Sequence, residues 1–175
     1  MAHLLRLTLF LVLGAFLASC ATQTPPSAST ATRGRVQKVR TTAYTHTERG
    51  GARNAIGRRL ISGNLNSASC DWSRFPLGTR FRVVSTGDEY IVDDYGSALV
   101  GTDTIDLYKT SRGAMRKWGV RHEDIEIVHW GSDDDSLKIL RQRKGVGRVR
   151  RMIAAIETKQ QALPTALPPR EGPGW

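Results

Sequence analysis

Several things are scarce in this 175-residue chain. Cysteine occurs only twice, at Cys20 and Cys70. Histidine occurs four times, and His46, His122 and His129 form no metal-ligand pattern: there is no His-Glu-x-x-His and no Cys-x-x-Cys. No Gly-rich phosphate loop and no nucleophilic Ser or Cys signature is present, and no nucleic-acid motif appears. The sequence therefore implies no metal and no cofactor. No internal repeat is visible. No apolar run reaches the roughly 20 residues that span a bilayer. The longest, Leu7 to Leu17, has 11 residues and comes just after Arg6. That is the length of a signal-peptide core.

Leu17-Ala18-Ser19-Cys20 resembles a bacterial lipobox, which implies cleavage before Cys20 and lipidation of its thiol. The implied location is the cell envelope, lipid-anchored, facing the periplasm from an outer membrane where the cell has one. An ordinary signal peptide that happens to contain a cysteine is the alternative. With Cys20 lipidated, Cys70 is the one thiol left, so an intrachain disulfide framework is excluded. In an oxidising compartment a lone Cys70 is expected to be buried.

The formal charge is +10, divided as +3 over residues 1–35, +3 over 36–131 and +4 over 132–175. The ends carry most of the excess. For an exported chain the partners of such a tail are anionic lipid heads, envelope polymer phosphates and peptide carboxylates, and nucleic acid is not expected.

Composition divides the chain into four segments: 1–19 a lipoprotein signal peptide, 20–35 a Thr/Ser/Pro/Ala-rich tether, 36–131 a folded domain, and 132–175 a basic tail. Within the domain, Val36–Tyr44, Arg80–Val84, Glu89–Asp93, Ile105–Tyr108 and Asp124–Trp130 read as strands, and Ile56–Ile61 as a further short one. Thr110 or Ser111 is expected to cap a helix reaching about Trp118, closed by Gly119. Many short strands and one short helix point to a small, mainly all-β closed barrel. In the tail, Asp133-Asp134-Asp135-Ser136 suits a helix start, whereas Gly145 and Gly147 interrupt the stretch from Leu137 to Leu163, and 164–175 is Pro-rich. The tail reads as a solvated extension, partly helical and then disordered; adhesion to an anionic polymer or membrane surface is the sharper alternative.

Three segments stand together: Ala68-Ser69-Cys70-Asp71-Trp72 followed by Phe75-Pro76-Leu77-Gly78-Thr79; Val92-Asp93-Asp94-Tyr95-Gly96-Ser97-Ala98-Leu99-Val100-Gly101; and Thr104-Ile105-Asp106-Leu107-Tyr108 followed by Trp118-Gly119. In this ordered set, spanning roughly 38–130, the chain resembles the three-aspartate (3D) domain family found in membrane-bound lytic murein transglycosylase A and other wall enzymes. Asp71, Asp94 and Asp106 match its three aspartates. The resemblance implies a six-stranded double-psi β-barrel that cleaves peptidoglycan glycan strands. Asp106 would be the general acid/base at the bond between N-acetylmuramic acid and N-acetylglucosamine, giving a 1,6-anhydro product. Asp94 would tune Asp106 or hold substrate, and Asp71 is the third candidate.

A free Asp titrates near 3.9, so an acid catalyst needs burial or a neighbouring carboxylate to keep its proton. An Asp inside an apolar strand step, as at Asp106, is costly without a purpose. For Asp71 and Asp93 a turn or cap role is an equal alternative. Trp72, Tyr95 and Tyr108 lie beside the aspartates and are candidate sugar platforms, with core packing the alternative for Tyr108. Gly96 and Gly101 are expected in tight loops at the groove. His46 reads as a surface loop residue rather than a groove residue. Two other functions remain open: a non-catalytic glycan-binding lipoprotein, and a polysaccharide hydrolase on the same barrel.

Overall fold

The computed structural model describes residues 35–48 and 50–162. The signal-peptide and lipidation reading, Cys20 included, lies outside the described residues, as does the Pro-rich terminus. Among the described residues no helix is long and apolar enough to cross a membrane.

Six strands close a barrel: β1 (Val36–Tyr44), β2 (Asn66–Ser69), β3 (Arg80–Val83), β4 (Glu89–Asp94), β5 (Thr104–Tyr108) and β6 (Arg121–His129). The order round the barrel is β1-β5-β2-β4-β3-β6, closed by β6 against β1. The pairs β1·β5 and β2·β4 are parallel and the other four are antiparallel. The expected mainly-β six-stranded barrel with a short helix is thus the observed fold. That helix, α1 (Arg112–Trp118), is capped by Ser111, whose side chain accepts from the Ala114 amide. It ends at Gly119, where φ is 65°, a conformation glycine adopts without steric cost.

Alternation builds the interior. Phe81 and Val83 from β3, Tyr90 and Val92 from β4, Ile105 and Leu107 from β5, and Ile125 and Ile127 from β6 are buried. Phe81 and Tyr90 stack at 5.5 Å between ring centroids. Cys70 is free, fully buried, and donates weakly to the Phe75 carbonyl at 3.7 Å.

Residues 56–61 do not form the expected strand. They lie in a turn with a single bridge between Arg53 and Arg59. The Asn54 side chain accepts from the Arg58 amide at 2.8 Å, and Gly57 has φ of 81°. Local side-chain capping beats the ladder here. The missing strand is instead Asn66–Ser69, four small polar or tiny residues.

The basic tail also departs from expectation. Helix α2 (Asp133–Leu140), a 3-10 turn (Arg141–Arg143) and α3 (Gly147–Ala162) come after the barrel. Leu137, Leu140, Val149, Met152 and Ile156 are buried and belong to the same apolar cluster as the barrel interior. A solvated extension would leave these five in water. Burial contributes roughly 1.5–3 kcal/mol per such side chain, which is why the segment folds back. Gly145 lies between the two helices and Gly147 opens the second. Leu77 donates its amide to Ser136 Oγ at 2.9 Å, and the Gly131 amide donates to Thr79 Oγ1 at 3.0 Å. At Gly131 a Cβ would collide with the Leu77 and Pro76 carbonyl oxygens, so only glycine fits this passage from barrel to helices.

Candidate functional site

Two of the three aspartates meet across one strand. Ser69 on β2 is in register with Asp94 on β4 on one side and with Asp106 on β5 on the other. At about 4.8 Å per strand, the two aspartate backbones stand about 10 Å apart. A bulge between Ala68 and Ser69 makes this alignment possible: Ala68 pairs with Val92 and Ser69 with Asp94, so Asp93 is the extra residue. Ser69, Asp94 and Asp106 line one cavity of about 740 Å³, open to solvent, with Tyr44, Asn54 and Arg143 on its walls.

Asp106 Oδ1 accepts a 2.7 Å hydrogen bond from Thr42 Oγ1. Burial lifts its carboxyl to about 6; Glu48 adds to the rise, while the Thr42 bond and Arg40 oppose it. Asp94 Oδ1 accepts from the Tyr95 amide at 2.9 Å. Burial raises Asp94 to about 6 as well, against the pull of the Tyr95 and Ala55 amides and of Arg143, and with a push from Asp93. Each carboxyl is therefore raised by its own desolvation rather than by the other. The expected tuning of Asp106 by Asp94 is replaced by burial and Glu48.

Asp93 points away from this role. It is buried, and its Oδ2 accepts from Asn54 Nδ2 and Ser67 Oγ, both at 2.8 Å. Burial raises its pKa against those two bonds.

Asp71 does not line the cavity. It is buried; Oδ1 accepts from the Ser73 amide and hydroxyl at 2.9 and 2.7 Å, and Oδ2 from the Gly101 amide at 2.6 Å. It anchors a turn and ties it to the loop after β4, with Gly101 at a φ of 84°. This is the turn-and-cap role, and it accounts for both carboxylate oxygens.

The aromatic candidates divide. Trp72 is wholly buried, and its Nε1 donates to the Asp94 carbonyl at 2.8 Å. It supports the groove from below and has no face for a sugar. Tyr108 is also buried, its hydroxyl 2.9 Å from Nδ1 of the exposed His46. Tyr95 does line the cavity, edge-on to Trp72 at 5.1 Å. Gly96 lines it too; a Cβ there would sit 3.0 Å from Leu99 and 3.5 Å from Ser69 Oγ, so a bare backbone keeps the groove open.

Nothing in the sequence singled out Tyr44, Ser69, Asn54 or Arg143. Tyr44 ends β1, opposite Tyr108 in register and 5.6 Å from its ring. Among the described residues its buried hydroxyl has no hydrogen-bond partner. Burial, then Asp94, Asp93 and Asp106, push its pKa up, which keeps it a protonated donor. The signal for Tyr44 was its place at the end of a strand that runs beside Asp106; nothing local marked Arg143, 37 positions beyond Asp106 in the chain.

Among the described residues no group of three or more His, Cys, Asp or Glu is placed to hold a metal ion. The arrangement offers two carboxyls that exchange protons near pH 6 in an open, partly desolvated groove, which is the equipment of general acid/base chemistry. The chain matches no family model and no curated protein.

Proposed function

We propose that the barrel is a peptidoglycan-cleaving lytic transglycosylase, held in the cell envelope by lipid on Cys20, with Asp106 as its acid/base. The observation that carries the reading is Asp106 itself: a half-buried carboxyl in an open groove, with a pKa of about 6. Such a group is still partly protonated near neutral pH and can protonate a glycosidic oxygen. Once ionised, the same carboxylate takes the proton from the muramic acid 6-hydroxyl as that oxygen closes on the anomeric carbon. One carboxyl serves twice and no water enters. Asp94 and the Tyr44 hydroxyl would hold the sugar against it.

A hydrolase is the second reading. An inverting mechanism uses two carboxyls roughly 6.5–9.5 Å apart with water between, and Asp94 and Asp106, on either side of Ser69, both line the open cavity. A purely binding barrel has less support, because Trp72 and Tyr108 are buried and Tyr95 alone of the three candidate platforms lines the cavity.

The test is incubation of the full chain with purified sacculi and mass spectrometry of the released muropeptides, beside Asp106→Asn. Anhydro-muropeptides lost in the variant support the lyase. Hydrated products lost in the variant replace it with a hydrolase. Retention on sacculi with no release overturns the enzyme reading in favour of a wall-binding lipoprotein.

A further inference from the structure

The groove is not purely acidic. Arg143, in the 3-10 turn between α2 and α3, lines it beside Tyr95. Its Nη2 donates to the Ala55 carbonyl at 2.6 Å and its Nη1 to the Tyr95 hydroxyl at 3.2 Å. The guanidinium lies 5.8 Å from the centre of the Tyr95 ring. These contacts fix its position and use two of the five N–H donors that a guanidinium carries. Three remain for a ligand. The side chain is exposed, so this cation is held in place without being sealed off.

Its placement is one-sided. Arg143 is close enough to Asp94 to pull that carboxyl down, whereas the cation acting on Asp106 is Arg40, which donates to Thr104 and lies outside the cavity lining. The cavity lining thus holds Glu48, Asp94 and Asp106 together with two cations, Arg53, which donates to the Gly57 carbonyl at 2.7 Å, and Arg143, the one that acts on Asp94. A role as mere latch between helices and barrel does not account for this. Arg148, from the same helical segment, already bonds the Ser97 carbonyl, and Ser136 bonds Leu77; neither requires a guanidinium inside the cavity wall.

We infer that Arg143 is a specificity-determining residue: it forms a carboxylate subsite at the Asp94 end of the groove, so that the substrate is a glycan with a carboxylate on the sugar seated there. The inference rests on the glycan reading above and adds substrate class and polarity to it. The planar fork of a fixed arginine suits a carboxylate in bidentate fashion. In a peptidoglycan strand that carboxylate has two sources, the free lactyl group of a stripped muramic acid or the acids of an attached peptide stem. A neutral N-acetylglucosamine polymer has neither.

The test is binding by the full chain carrying Asp106→Asn, so that strands survive. The probes are amidase-stripped glycan strands and stem-bearing strands, each before and after carbodiimide coupling of their carboxyls to methylamine. The expected result is roughly tenfold tighter binding of the charged form of at least one strand type, the worth of one charge-assisted pair. Arg143→Gln removes that preference, so that charged and neutralised strands bind alike; Arg143→Lys restores part of it. Arg148→Gln, which cuts the other link to the loop, keeps the preference. A preference confined to stripped or to stem-bearing strands names the source. Equal binding of charged and neutralised strands, or a preference that survives Arg143→Gln, overturns the subsite while leaving the glycan reading standing. Binding of no strand at all overturns both.

Discussion

Thr42 and Asp106 face each other in register across the parallel pair β1·β5, and the Thr42 hydroxyl donates to the Asp106 carboxylate at 2.7 Å. A donor on the ionised form favours ionisation, so Thr42 holds the carboxyl below the value that burial alone would set. Thr42→Val is expected to raise the Asp106 pKa. In a pH–rate profile for the proposed strand cleavage, the alkaline limb expected near pH 6 for the native chain then moves to higher pH. An unmoved limb would show that another group supplies the proton.

The same two carboxyls set a stability cost. Asp94 and Asp106 titrate at about 6 when folded and near 3.9 when unfolded. The native state therefore binds protons more tightly. The stability these two carboxyls contribute is fully present below about pH 4, falls as pH rises from about 4 to 6, and levels off above that. Asp106→Asn, which cannot ionise, is expected to be more stable than the native chain at pH 7.5 by on the order of 1–3 kcal/mol, after allowance for partial exposure. Urea melts at pH 4 and 7.5 check this: the gain is small at the lower pH and appears at the higher.

The helices after the barrel are expected to be indispensable. Leu140 and Met152 are wholly buried in the shared cluster, so Leu140→Ala or Met152→Ala should cost about 2–5 kcal/mol in denaturant melts. A chain ending at residue 131 loses five buried apolar side chains at once and is expected to be aggregation-prone, judged by gel filtration and thermal melting.

Gly131→Ala tests the passage between barrel and helices. The added methyl meets two carbonyl oxygens of backbone rather than a yielding side chain, and a loss of roughly 2–4 kcal/mol is expected.

Cys70 should be inert in the folded chain. Burial pushes its thiol up, with Asp71 and Asp94 adding to the rise, and only the thiolate reacts. In a chain carrying Cys20→Ala, a thiol reagent is expected to label Cys70 at the rate of unfolding, and fast labelling in native buffer would contradict the buried placement.

Legibility in the sequence depended on whether the cause of a feature was local. β1, β4 and β6 announce themselves by β-formers in alternation, and the Ser111 and Gly119 caps by local chemistry. β2 does not: Asn66-Ser67-Ala68-Ser69 has no propensity for a strand, and becomes one because β4 and β5 pair with it on both sides. Asp106 was readable because an acid in an apolar step is costly. Trp72 departs from the platform role because adjacency to an aspartate does not say which way a ring turns; its indole N–H donates to the Asp94 carbonyl. Arg143 was invisible because its position depends on the packing of Leu137, Leu140 and Met152, not on any spacing from the aspartates.

The strand order has a kinetic meaning. β1 pairs with β5 and β6, more than sixty positions along the chain, and Asp106 sits on the strand between β1 and β2. Contacts of such long range form late and slowly, because loop closure must precede them. The groove draws on residues from Tyr44 to Arg143, so no shorter stretch assembles it. A chain cut within the barrel does not assemble the site, and whatever chemistry the groove performs is withheld until the turn carrying Arg143, beyond the last strand, has packed against the closed barrel.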